Sequence, residues 1–208
     1  MGIHQALIGS YPSASVASWE IFSYPAGFNT ISASNLQAND LVVFALGRDS
    51  GSGSVVGPTT TALINNTSIN SITVLVRYLT VPATPADIGY FTFADYGLVL
   101  VFRNSGSTSS NISVEATHTT TSSPGHNNTA VAFSEGDLAL LLAYIDDDAT
   151  PMTPPTDSTK IAEDQNSGNG TIGAAYKEIN TAGNYSWGSW TTTTTDNTVA
   201  YVIKIQES

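Results

Sequence analysis

The sequence predicts an all-β protein, a β-sandwich of jelly-roll type built from an internally duplicated β unit, and three observations lead there. The first is a repeat. Asn39-Asp40-Leu41-Val42-Val43-Phe44-Ala45-Leu46 returns as Gly136-Asp137-Leu138-Ala139-Leu140-Leu141-Leu142-Ala143, 97 residues on (137 − 40). Gly57-Pro58-Thr59 returns as Pro154-Pro155-Thr156 at the same spacing of 97 (154 − 57). Val76-Arg77-Tyr78 then meets Ala175-Tyr176-Lys177, and Leu98 to Arg103 meets Val199 to Lys204, as the offset drifts to 99 and then 101. The second is composition: charged residues make up 11% of the chain, far below the usual ~25%, and Thr, Ser, Asn and Gly stand in their place. The third is periodicity. Apolar runs and period-2 alternations follow one another every 10–15 residues or so, with turn residues between them, which is the rhythm of a sandwich.

In chain order, residues 1–30 read as a leader that carries Trp19, Phe22, Tyr24 and Phe28 but has poor strand phase. Ala33 to Asp40 is the best candidate for one short helical turn. Asp40 to Leu46 is apolar on both faces, as a central strand is. Gly51-Ser52-Gly53-Ser54 reads as a flexible loop. Ser71 to Leu79 alternates, with Ile72, Val74, Val76 and Tyr78 on one face. Tyr90 to Phe93 is a short strand, and Leu98 to Phe102 closes the first half. Asn104 to Ser123 is rich in Ser and Thr, with one strand expected at Ile112 to Ala116, crossing between halves. Thr129 to Phe133, Leu138 to Ile145, Ile172 to Lys177, Tyr185 to Thr195 and Val199 to Gln206 supply the second half, with a long Asp- and Pro-rich loop after Ile145. The expected organisation is an N-terminal segment, 1–30, and a duplicated sandwich over 31–208, its halves at about 31–104 and 129–208. A half with only about five strands would leave one sheet face bare, so the halves are expected to share one core.

Charge and motifs exclude more than they select. The net charge is −11 and the six Lys and Arg residues are scattered, which argues against nucleic acid and against an anionic membrane surface. With no cysteine there is neither a disulfide frame nor a thiolate metal site. No run reaches the ~18 apolar residues of a membrane span, and the N-terminus lacks the basic start and apolar core of a signal peptide. His4, His118 and His126 form no metal motif, and no nucleophile elbow, P-loop or dinucleotide fingerprint occurs. Nothing selects a catalytic pair, so the chain reads as non-enzymatic.

Three groups of residues invite a functional reading. Asp146, Asp148 and Asp157 lie in or after one acidic loop and could supply oxygen ligands to Ca2+, although a solvated acidic loop is the preferred reading. Tyr185, Trp187 and Trp190 form the densest aromatic cluster and could stack on sugar rings. In an extended strand, however, Trp187 and Trp190 face opposite ways, which points instead to core or interface packing. Arg103 and Lys204 recur at equivalent sequence positions, and Arg77 and Lys177 match to within one, so each is expected to cap a sandwich edge or to pair with an acid at the same place in both halves.

The repeated Asn39-Asp40-Leu41-Val42-Val43 and Gly136-Asp137-Leu138, the two Pro turns, and Arg77-Tyr78 with Tyr176-Lys177 together resemble virion structural proteins of tailed bacteriophages. The resemblance spans about residues 36–206. It departs from the pattern in having Thr59-Thr60-Thr61 and Thr156-Asp157-Ser158 where a Trp often follows the Pro turn. The resemblance implies a tail, fibre or capsid-decoration protein, made in the host cytoplasm and located in the virion. Such a protein would act by assembly with identical copies and other virion proteins, with Trp19, Phe22, Tyr24 and Phe28 as the anchoring residues. The alternative is a carbohydrate-binding module or adhesin for a host-surface glycan, with Tyr185, Trp187 and Trp190 as its site.

Overall fold

The computed structural model describes residues 19–49, 51–69, 71–104, 110–120, 130–146, 150–166 and 168–207. The first unit contributes β1 (Trp19–Pro25), β2 (Phe28–Ile31), β3 (Leu41–Arg48), β4 (Ser54–Val56), β5 (Thr61–Ile69), β6 (Ile72–Thr80), β7 (Ile88–Phe93) and β8 (Tyr96–Asn104). The second contributes β9 (Ser110–Thr120), β10 (Val131–Phe133), β11 (Leu138–Ile145), β12 (Thr159–Asn166), β13 (Gly170–Glu178), β14 (Gly183–Tyr185) and β15 (Thr198–Glu207). A single 3-10 turn at Ala33–Asn35, capped by Ser32, occupies the place expected of a helical turn.

The duplication is complete at the level of topology. One five-stranded sheet runs β1-β8-β3-β6-β5, and the other, read from its opposite edge, runs β9-β15-β11-β13-β12. Strand by strand these are the same sheet, antiparallel throughout. The smaller sheets correspond too. β2-β7-β4 in the first unit has its counterpart in β10-β14 and the isolated Thr153–Thr191 bridge in the second.

Alternation along the strands decides which face goes where. Leu41, Val43 and Ala45 of β3, and Leu98, Leu100 and Phe102 of β8, point to one side; Leu138, Leu140 and Leu142 of β11, and Val199, Ile203 and Ile205 of β15, meet them from the other sheet. The two large sheets therefore pack face to face on one shared core, as expected. Each side chain sealed there contributes about 1.5–3 kcal/mol. The opposite faces are also apolar, which is why β3 and β11 read as unbroken apolar runs. Val42, Phe44, Val99 and Val101 are covered by Ile31, Ile88 and Tyr90 of the first small sheet. Ala139, Leu141, Ala143 and Ala175 are covered by Phe133, Trp187 and Trp190. The result is four layers, with the small sheets outermost.

The unit boundaries differ from the expected ones. Residues 19–31 are not a leader outside the repeat: β1 pairs with β8 along its whole length, and Trp19 sits in the shared core with its indole N–H donating to the Gly136 carbonyl at 3.0 Å. Tyr24 packs on the outer core of the same unit. Likewise β9 belongs to the second unit, pairing with β15 as β1 pairs with β8. Each unit thus opens with an edge strand, and the described units run 19–104 and 110–207 rather than 31–104 and 129–208.

Candidate functional site

The repeated Asp explains itself first. Asn39 and Gly136 both adopt a left-handed backbone, with φ of 70° and 91°, a conformation that favours Gly and tolerates Asn. The residue after each closes a four-residue turn. The Oδ2 of Asp40 accepts from the Gln37 N–H at 2.8 Å, and the Oδ2 of Asp137 accepts from the Ser134 N–H at 2.8 Å. Both Asp residues are buried, and both units repeat the turn's backbone bonds to Val81 and Ile179. The motif that recurs in the sequence is therefore a turn that launches the central strand.

The two turns differ in what neutralises them. Arg103 donates from Nε to Asp40 Oδ1 at 2.9 Å and from a terminal nitrogen to Asp40 Oδ2 at 2.8 Å; it also reaches Glu20 at 3.3 Å and the Asn35 carbonyl at 3.0 Å. The Asp40 hydrogen bonds push the Arg103 guanidinium above its ordinary range, against burial, which works to lower it. Lys204 is not at the equivalent position. Leu41 pairs with Phe102 as Leu138 pairs with Ile205, so Arg103 matches Gln206 and Lys204 matches Val101. Lys204 nonetheless donates to the Ala132 carbonyl, the counterpart of the Asn35 carbonyl, at 2.8 Å and lies 3.7 Å from Glu115. Each of the two cations pairs with an acid, but the acids are not at the same place in the two units, so the expected recurrence of one ion pair is not found. Arg77 and Lys177 are not equivalent. Register aligns Tyr78 with Tyr176, so Arg77 matches Ala175 and Lys177 matches Leu79.

Arg103 also forms the floor of an open cleft of about 410 Å³, lined by Phe22, Tyr24, Ser34, Asn35, Gln37 and Arg103 itself. Phe22 is 38% exposed and lies 5.3 Å beneath the guanidinium carbon. Two of the four residues expected to anchor the chain therefore line a cleft, and Trp19 is core. Phe28 contributes to β2, and its side chain lies outside the described residues.

Trp187 and Trp190 are 3% and 1% exposed. The Trp190 ring lies so close over Gly173 that a Cβ there would come within 2.7 Å of it. Trp187 meets Phe133 edge-on at 6.0 Å and stacks at 5.9 Å on Tyr185, under the Lys177 ammonium. Both indoles are buried and pack inward, as the packing reading of them expects, while Tyr185 is half-buried. Asp146 is buried at the end of β11, and Asp157 is exposed in a turn with φ of 68°. Asp148, His4 and His126 lie outside the described residues, as does the side chain of His118. Among the described residues no group of three His, Cys, Asp or Glu side chains could hold a metal ion.

The sequence reading missed one feature, the outer face of the small sheet in the first unit. β7 alternates, so Tyr90 and Thr92 are buried while Phe91 and Phe93 point out, 40% and 52% exposed. Val56 of β4, paired with Phe91, is 61% exposed beside them. The Arg48 guanidinium lies 4.4 Å over the Phe93 ring and 3.6 Å from Asp95. The signal was present in Tyr90-Phe91-Thr92-Phe93, where both alternate positions carry rings.

Comparison with protein-family models, curated proteins and solved structures found no match. No helix among the described residues is long and apolar enough to cross a membrane.

Proposed function

We propose that this chain is a non-enzymatic structural protein that works by assembly, in the setting of a bacteriophage virion that its sequence resemblance implies. The observation that carries the reading is the Val56–Phe91–Phe93 face. Exposed rings side by side on an outermost sheet favour a partner surface. On the small sheet of the second unit the outward pair is Ala132 and Asn184. A second copy of the chain is the partner we favour. Although the chain carries a charge of −11, Arg48 at this face has Asp95 beside it, so among the described residues the patch itself brings little like-charge repulsion. Three side chains would form only the centre of a stable contact, which hides about 1,200–2,000 Å² in total.

Light scattering on a sizing column tests this. The parent chain is expected to run as a closed oligomer, and the double variant Phe91→Ser, Phe93→Ser as a 21.7 kDa monomer with an unchanged circular dichroism spectrum. A monomeric parent at about 50 μM, where contacts of micromolar affinity are filled, would overturn self-assembly through this face.

A further inference from the structure

The duplicated framework supplies an internal control for the Arg103 cleft. Register and the shared turn align Phe22 with Ser113, Ser34 with Val131, Asn35 with Ala132 and Gln37 with Ser134, while Leu36 and Phe133 stay buried and Arg103 is matched in register by Gln206. The framework therefore keeps a buried apolar residue here, with Lys204 reaching the counterpart of the Asn35 carbonyl from another position, and folds without the Phe22 ring or the Asn35 and Gln37 amides. The first unit carries those groups where packing does not require them.

Their chemistry is specific. Phe22 offers a partly exposed ring beside the half-buried Tyr24. Asn35 and Gln37 are exposed and their side chains make no hydrogen bond to the described residues, so each brings two N–H donors and a carbonyl acceptor to the cleft. Arg103 is committed to Asp40, Glu20 and the Asn35 carbonyl. One guanidinium against two carboxylates leaves the floor at −1, which disfavours a phosphate or carboxylate ligand. The cation already lies over the Phe22 ring, which disfavours a cationic ligand on that face.

We infer that the cleft lined by Phe22, Tyr24, Asn35 and Gln37 is a binding site for a neutral saccharide. One sugar face would rest on the aromatic wall, with the amides of Asn35 and Gln37 bonding its hydroxyls. At about 410 Å³ the cleft is within the range of small-ligand sites. The inference is independent of the assembly reading, because Phe91 and Phe93 are not among the lining residues.

The test is a titration of 15N-labelled protein with lactose and N,N′-diacetylchitobiose, with sialyllactose as the anionic control. The expected result is a dissociation constant on the order of 1 mM for a neutral disaccharide. Shifts should centre on the Asn35 and Gln37 side-chain amides and persist in high salt. The triple variant Phe22→Ser, Asn35→Ala, Gln37→Ser copies the second unit's own residues, so it should keep its fold while losing affinity by about tenfold or more. Absence of shifts with either neutral sugar at about 50 mM, a stronger response to sialyllactose, or undiminished binding by the triple variant would each overturn the inference.

Discussion

The two units share strand order and turn chemistry but cover their outer faces by opposite means. In the first, the large sheet presents bulky Val42, Phe44, Val99 and Val101, and a regular three-stranded sheet lays Ile31, Ile88 and Tyr90 on them, with Tyr90 edge-on to Phe44 at 5.5 Å. In the second, the large sheet presents small residues, Ala139, Ala143, Gly173, Ala175 and Ala200, and two indoles from a largely irregular segment fill the depth they leave. Volume is conserved while its source moves from the sheet to its cover. A close-packed interior tolerates such an exchange only when both sides change together. The regular cover leaves a ringed outer face; the irregular one spends its aromatic residues inward.

This comparison can be broken from either side. The largest effect belongs to the edge strands that open each unit. Removing residues 1–30 strips β1 from β8 and takes Trp19 out of the shared core. The truncated chain is expected to show no cooperative thermal transition; a folded product would mean that the first unit does not need its edge strand. Next comes the indole cover. Trp190→Ala removes a fully buried ring from a floor of Ala and Gly that cannot collapse upward, and should cost about 3–5 kcal/mol by urea unfolding. Gly173→Val attacks the same contact from below, and recovery of stability in the double variant would show that the two volumes are complementary.

The third comparison sets Arg103 against Lys204. Arg103→Met leaves the buried Asp40 without its forked partner, which should cost on the order of 2–3 kcal/mol. Lys204→Met breaks a looser contact with Glu115 and one bond to a carbonyl, and should cost under about 1 kcal/mol. Equal losses would mean that the carboxylate in the first turn does not depend on its cation.

The strands with apolar or alternating runs were legible in sequence. The faces assigned to Ile72, Val74, Val76 and Tyr78, and to Val199, Tyr201, Ile203 and Ile205, are those that meet the shared core. What escaped was polar. β5 and β12 are edge strands of mostly exposed or half-buried Thr, Asn, Asp and Gln, whose backbone pairing leaves no hydrophobic trace. β9 is Ser- and Thr-rich for the same reason, and β1 hid among Pro and aromatic residues because its outward positions, Phe22 and Tyr24, are as apolar as its inward ones. The cleft was illegible as a site. It joins residues of β1, the 3-10 turn and β8, which only the register of the sheet brings together. Phe22 and Tyr24 did stand out as aromatic residues in want of a surface, but a linear reading could not show that Arg103 lay over the Phe22 ring.

The smallest effect at neutral pH lies at the centre of the molecule. Tyr96 and Tyr201 flank Tyr144 between the two large sheets, with ring centroids 6.5 and 6.1 Å from it. The hydroxyls of Tyr144 and Tyr201 make no hydrogen bond to the described residues. Burial pushes the Tyr201 hydroxyl up to about 12, and burial with the neighbouring phenols pushes Tyr144 well above its ordinary value. In the unfolded chain both would ionise near pH 10. Between that point and the folded values the unfolded state binds fewer protons than the native one, so stability falls as pH rises through this window and is fully retained below it. Tyr201→Phe should then be nearly neutral at pH 7, since it removes a hydroxyl that has no partner among the described residues, and should flatten the decline above pH 10. Chemical denaturation at a series of alkaline pH values checks this. A decline as steep in Tyr201→Phe as in the parent would place the alkaline sensitivity elsewhere, with the Tyr90 hydroxyl beneath the outer sheet, also pushed up to about 12, as the next group to remove.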